Sequence, residues 1–102
     1  MHVQRESDAR GPWLRVRGPL DFAEVQALVK AGMALLPSTG DGPLRLDLGG
    51  VSFLDSSGLG ALLHLQKQAE HCGRKLELHN PSAPVLQTLR LTRLGQVFSL
   101  HP

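Results

Sequence analysis

Apolar positions along the chain change period several times, and each change marks an element. Trp13 to Arg17 alternates apolar and polar side chains weakly, with Trp13 and Leu14 breaking the period, and His2 to Ser7 before it reads as a short edge strand. Asp8-Ala9-Arg10-Gly11 between them has turn composition, which predicts a hairpin that Gly18-Pro19 ends. From Asp21 the period becomes helical. Val25, Leu28, Val29, Gly32 and Leu36 recur at one-face spacing, behind an Asp21–Glu24 pair in the D-x-x-E relation of a capping box. A helix is therefore expected from Asp21 until Pro37 stops it, then a loop through Ser38 to Pro43. Leu44 to Leu48 alternates strictly, as a strand with one apolar face does, leaving the other face solvated or lightly covered. A short loop through Val51 and Phe53 then leads to Asp55-Ser56-Ser57-Gly58.

The next helix is expected from about Ser57 to Cys72. At 100° per residue Leu62, Leu65, Ala69 and Cys72 form its core stripe, with Gly58 and Ala61 beside it. Gly60, His64, Lys67, Glu70, His71 and Arg74 take the opposite side. Leu59 and Leu63 lie on the flank between, as core edge or as an exposed apolar strip beside the serines. Gly73 is placed to end the helix in a left-handed conformation. Lys75 to His79 reads as a strand and Asn80-Pro81-Ser82 as the turn into a third helix carrying Val85, Leu86 and Leu89. Val97-Phe98 is the expected last strand. Strands alternating with helices after a hairpin predict an α/β fold: a mixed β-sheet of four to five strands with helices packed against it, one domain over residues 1–102.

Composition narrows the function classes. The 102 residues are 41% hydrophobic and 20% charged, an ordinary balance for a globular domain able to bury its own core. A formal net charge of +2 comes from 11 Lys and Arg spread without a like-charge block among nine acids. With Trp13, Phe22, Phe53 and Phe98 as the whole aromatic complement, a stacking platform for nucleic acid is hard to assemble, and no direct nucleic-acid partner is expected. Cys72 is alone, which excludes an intramolecular disulfide. No apolar run approaches the roughly 18–20 residues that span a bilayer, and the first residues lack a signal-type apolar region. Cytoplasmic localisation without membrane insertion is the expectation.

The chemistry-bearing residues gather at Asp55-Ser56-Ser57-Gly58. A strand, a hydroxyl-rich turn and a helix N-terminus in succession put two serines where backbone N–H groups are unpaired and the helix dipole is positive, a setting suited to phosphate. Ser and Asp are equally the preferred helix caps, so the same tetrapeptide can serve only to start a helix. Both readings stay open on these residues. An enzyme is not expected: the G-x-S-x-G elbow is absent, and the spacing of His2, His64, His71, His79 and His101 names no triad. Gly58-Leu59-Gly60-Ala61-Leu62-Leu63 starts like a dinucleotide fingerprint but ends on Leu63 and falls inside the expected helix. His64 and His71 lack companion ligands, so neither a metal nor any other cofactor is expected.

The segment from Val51 to Phe98 resembles the STAS domain family, and within it the bacterial anti-sigma factor antagonists. The resemblance rests on D-S-S-G-L-G at the helix start, Gly73-Arg74-Lys75-Leu76, Asn80-Pro81-Ser82, Leu91-Thr92-x-Leu94-x-x-Val97-Phe98, and Gly18-x-Leu20-Asp21 upstream. It implies a binding protein in signal transduction and transcription regulation. Its partner would be an anti-sigma factor that is also a serine kinase and phosphorylates the second serine, Ser57, so that the modified form lets go until a phosphatase resets it. Asp21 is similar to a family Asp that contacts the partner, and Asp55, Ser56, Gly58, Leu59 and Leu63 are the other expected partner-binding residues. Pro19 departs from the Glu of many antagonists, and a final helix of longer relatives is expected to be short or absent. The same resemblance admits an alternative, the STAS subunit of an ABC-type lipid transporter bound to its ATPase. Oligomeric state, like the identity of the sigma factor, is left open.

Overall fold

A computed structural model describes residues 2–102. The predicted hairpin is present as β1 (His2–Asp8) and β2 (Gly11–Leu20), antiparallel in unbroken register from His2↔Arg17 to Asp8↔Gly11. Three parallel strands follow, β3 (Leu44–Leu54), β4 (Leu76–His79) and β5 (Ser99–His101), giving one five-stranded mixed sheet in sequence order. Helix α1 (Val25–Leu35) connects β2 to β3, α2 (Ser56–His71) connects β3 to β4, and α3 (Ala83–Leu91) connects β4 to β5.

Each crossover adds its strand on the same side of the last one, and right-handed connections made that way keep returning to the same face of a sheet. The side chains follow suit. Leu14 and Val16 of β2, Leu44, Leu46 and Leu48 of β3, and Leu76 and Leu78 of β4 share one buried face, packed with Leu28, Leu35, Leu62, Leu65, Val85 and Leu89 of the helices. Their neighbours Arg15, Asp47, His79 and His101 stand in a row across the other face, in register from β2 to β5. The strict Leu-Arg-Leu-Asp-Leu alternation thus marked a sheet with one covered and one polar face.

Four expectations need correction. The helix after β2 starts at Val25, not Asp21, because residues 21–24 form a turn: Asp21 Oδ1 accepts the Ala23 N–H at 3.1 Å and Asp21 O accepts the Glu24 N–H at 3.0 Å. No capping box forms. The strand from Leu44 does not stop at Leu48. It runs to Leu54, with register shifts against β2 that absorb the Gly49-Gly50 break in alternation. Cys72 is exposed: α2 ends at His71 in a Schellman turn, with Gly73 at φ +70°, Gly73 N–H on Glu70 O and Arg74 N–H on Ala69 O, so the helical angle no longer applies at Cys72. The last strand is Ser99–His101, placed by pairing with β4, while Val97 lies in a turn and Phe98 is buried beside it.

One charge is buried among the described residues. Arg45 of β3, 7% exposed, reaches across β2 to the hairpin turn, where its guanidinium donates to Asp8 Oδ2 at 2.9 Å, Asp8 Oδ1 at 2.7 Å and Gly11 O at 2.9 Å. This fork is bidentate and ties the hairpin to the parallel part of the sheet. The Arg45 hydrogen bonds hold the Asp8 carboxyl down at about 2, against partial desolvation. A carboxyl depressed in the folded state contributes stability above its unfolded pKa and loses it as pH falls through the folded value. The melting temperature followed by circular dichroism should therefore fall between pH 4 and pH 2 more steeply for the natural sequence than for Asp8→Asn. Parallel curves would show that the pair adds nothing.

Candidate functional site

The site is built where β2 and β3 end and α2 begins. Asp55 leaves β3 in extended conformation, φ −98° and ψ −174°, and caps α2 with its side chain: Oδ1 accepts the Gly58 N–H at 2.9 Å. The Asp55 carbonyl accepts the Leu59 N–H at 2.9 Å, the first bond of the helix. The cap is thus supplied by Asp55 alone. Neither serine hydroxyl makes a hydrogen bond among the described residues, and the Ser56 and Ser57 N–H groups, at the first two helical positions, have no carbonyl one turn earlier to bond. Ser56 is exposed and Ser57 is half-exposed.

Gly58 is held against the end of β2. A Cβ placed on it would fall inside contact distance of the Leu20 carbonyl oxygen, with Leu54 Cδ1 at 2.7 Å and Leu20 Cγ at 3.0 Å. The Asp55 N–H also points at that carbonyl, 3.4 Å away. Leu20 immediately precedes Asp21, so this contact draws the half-buried Asp21 turn to the rim of the α2 N-terminus. Leu59, by contrast, is 7% exposed and part of the core, and Leu63 is half-buried against it. Of the two readings open for that flank, core edge is the one adopted.

An open groove of about 420 Å³ runs between α1 and α2, lined by Val25, Gln26, Val29, Lys30, Ser57 and Ala61. Ser57 therefore faces an apolar trough with one lysine on its wall. Two aromatics project at the same end: Phe22, 79% exposed, in the Asp21 turn, and Phe53, 51% exposed, paired in register with Pro19. Sequence reasoning missed Phe22, Phe53 and Lys30 as site residues. Phe53 read as part of a loop and Phe22 as a helical residue. The helical period gave no cue for Phe22, which at three residues before Val25 and seven before Val29 falls on the edge of the same stripe.

No hydrogen bond links Ser57 or Ser56 to a histidine among the described residues, and His64 lies on the exposed side of α2. No described helix is long and apolar enough to cross a membrane.

Residues 3–101 match the family model described as "Mlab, STAS domain". Among solved structures, the chain is similar to an anti-sigma factor antagonist from Mycobacterium paratuberculosis, at 24% identity and TM-score 0.84, covering 99% of this chain and 85% of that one. It is similar to the anti-sigma factor antagonist SpoIIAA in its unphosphorylated form, at 25% identity and TM-score 0.76, covering 99% and 89%. The Bacillus cell fate determinant SpoIIAA in the phosphorylated form matches at 22% identity and TM-score 0.71, covering 99% and 92%.

The glycine contact gives a direct test. Gly58→Ala should lower the free energy of unfolding in urea by about 1–3 kcal/mol, the usual cost of overpacking. Gly60→Ala, two residues on with open space around its Cα, should leave it unchanged or raise it by up to about 1 kcal/mol. Equal effects at both positions would mean that the close approach to Leu20 is not tight.

Proposed function

The chain belongs to the STAS domain family, and from that membership we propose that it is an anti-sigma factor antagonist switched by phosphorylation of Ser57. The observation that carries this reading is the division of labour at the α2 N-terminus. Asp55 does the capping, which leaves the Ser57 hydroxyl half-exposed and without a structural duty. The anti-sigma factor, itself the serine kinase, would dock on the surface made by Asp21, Asp55, Ser56, Ser57 and the edge of Leu63. Gly58 and Leu59 support that surface from beneath. Phe22 and Phe53 supply apolar area at its margin, of the size that anchors protein interfaces.

Phosphate on Ser57 adds about −1.5 to −2 charge. The helix dipole favours it, and Lys30 lines the groove beside it, so the fold tolerates the change. The docking surface does not. Asp55 and Asp21 already make that rim acidic, and a partner carboxylate about 4 Å away would be repelled by about 4 kcal/mol at an effective dielectric near 20. A loss of that size weakens binding by nearly three orders of magnitude. Repulsion of this kind needs no rearrangement of the antagonist, and a phosphatase restores it. The solved forms of SpoIIAA, phosphorylated and unphosphorylated, support a reading in which one fold serves both states.

A second reading is the STAS subunit of an ABC-type lipid transporter, holding its ATPase permanently. The description of the matching family model, which names no antagonist, favours keeping it in view. Pulldowns from the native host separate the two. For the antagonist, Ser57→Ala should retain an ATP-binding anti-sigma partner and lose all phosphate in mass spectrometry, while Ser57→Asp weakens that partner by at least about tenfold. An ATPase held with equal strength by both variants, co-purifying with a permease, would favour the transporter. Replacing Phe22 and Phe53 by serine should weaken docking without lowering the melting temperature, since both side chains are already largely in solvent.

A further inference from the structure

The polar face of the sheet, opposite the helices, carries a cluster that the proposed switch does not use. Glu77 and His79 are two residues apart on β4 and so project on the same side. His101 of β5 lies directly across from His79 in the strand register. Glu77 Oε1 is 2.9 Å from His79 Nε2, and Glu77 Oε2 is 3.7 Å from His101 Nε2. The two imidazoles stack with centroids 4.6 Å apart and planes 15° from parallel. One donor atom from each residue lies within 4.8 Å of the other two, and all three side chains are half-buried.

We infer that Glu77, His79 and His101 form a binding site for a divalent transition metal ion of zinc type. Two imidazoles and a carboxylate are a donor set that zinc accepts while keeping a fourth position open. Ligand atoms about 2.1 Å from a tetrahedral ion stand roughly 3.4 Å from one another. The two distances from Glu77 to the histidines, 2.9 Å and 3.7 Å, bracket that spacing. Ser99 Oγ, 2.8 Å from His101 Nε2, bonds the ring nitrogen that the ion would take and must release it on binding.

The neighbouring cations do not close the site. Arg45 is committed to Asp8 and Gly11 by three hydrogen bonds. Arg10 reaches Glu77 Oε1 only at 3.4 Å from a side chain 54% exposed, and can swing into solvent. Cross-strand pairing creates the cluster: His79 and His101 are far apart in sequence, which is why no ligand spacing revealed it.

The test uses the whole chain, stripped with a chelator and titrated with zinc chloride at neutral pH by isothermal calorimetry. The expected result is one zinc per chain with micromolar affinity, and a zinc-dependent rise in melting temperature. Glu77→Gln and His101→Asn should each weaken binding by at least about tenfold. The double variant His64→Asn/His71→Asn, altered on the exposed side of α2, should bind as the natural sequence does. Circular dichroism of the metal-free variants establishes that they fold. Trp13, the one tryptophan, lines a small cavity together with His79, so its fluorescence should be quenched by copper in the natural chain and much less in His101→Asn. Zinc affinity unchanged in both Glu77→Gln and His101→Asn, or no saturable binding up to millimolar zinc, overturns the inference. Neither outcome bears on Ser57, which lies on the helix side of the sheet.

Discussion

The backbone-to-backbone contact between Gly58 and Leu20 is the constraint on which the site depends. It permits α2 to start directly against the end of β2, with the Leu20 carbonyl close to both the Gly58 Cα and the Asp55 N–H. Any side chain at position 58 would push the helix away from the strand. With the helix held there, Asp55 can cap it, and the Asp21 turn comes to the same rim. The hydroxyl of Ser57 gains its position from this packing rather than from bonds of its own.

Capping and signalling are often rival explanations for a serine at a helix start. Here the capping falls on Asp55 and on neither serine. Asp55 satisfies the Gly58 N–H and complements the positive end of the helix dipole, leaving both serines chemically idle in the resting fold. A group with no structural role can be esterified without unfolding what surrounds it. In the proposed switch, the groove between α1 and α2, with Lys30 on its wall, would hold the new charge while the outer rim turned repulsive.

The two faces of the sheet divide the molecule's chemistry. Sequential parallel crossovers place the leucine-rich face under the helices, and the core is nearly all leucine and valine. The opposite face keeps Arg45, Glu77, His79 and His101 in an ion-paired and hydrogen-bonded layer. Arg45 is the costliest of these to bury, and its fork to Asp8 fastens the antiparallel hairpin, which has no helix crossover of its own, to the parallel strands.

The sequence alone determined the order of elements, because hydrophobic period is a local property: alternation at Leu44 to Leu48, helical spacing from Val25 and through Leu62, Leu65 and Ala69, and the glycine stop at Gly73. It also determined that two serines would sit at a helix N-terminus. Tertiary structure decided what depends on residues distant in the chain. β3 continues through Gly49-Gly50 because β2 supplies the partners for its backbone groups, which no local pattern can signal. The last strand is Ser99–His101 because β4 selects the register, against the more apolar Val97-Phe98. Asp55 rather than a serine caps α2, Leu59 turns into the core while Phe22 and Phe53 stay out, and Glu77 meets two histidines, all because the strand ends and strand registers fix those side chains after the sheet has assembled.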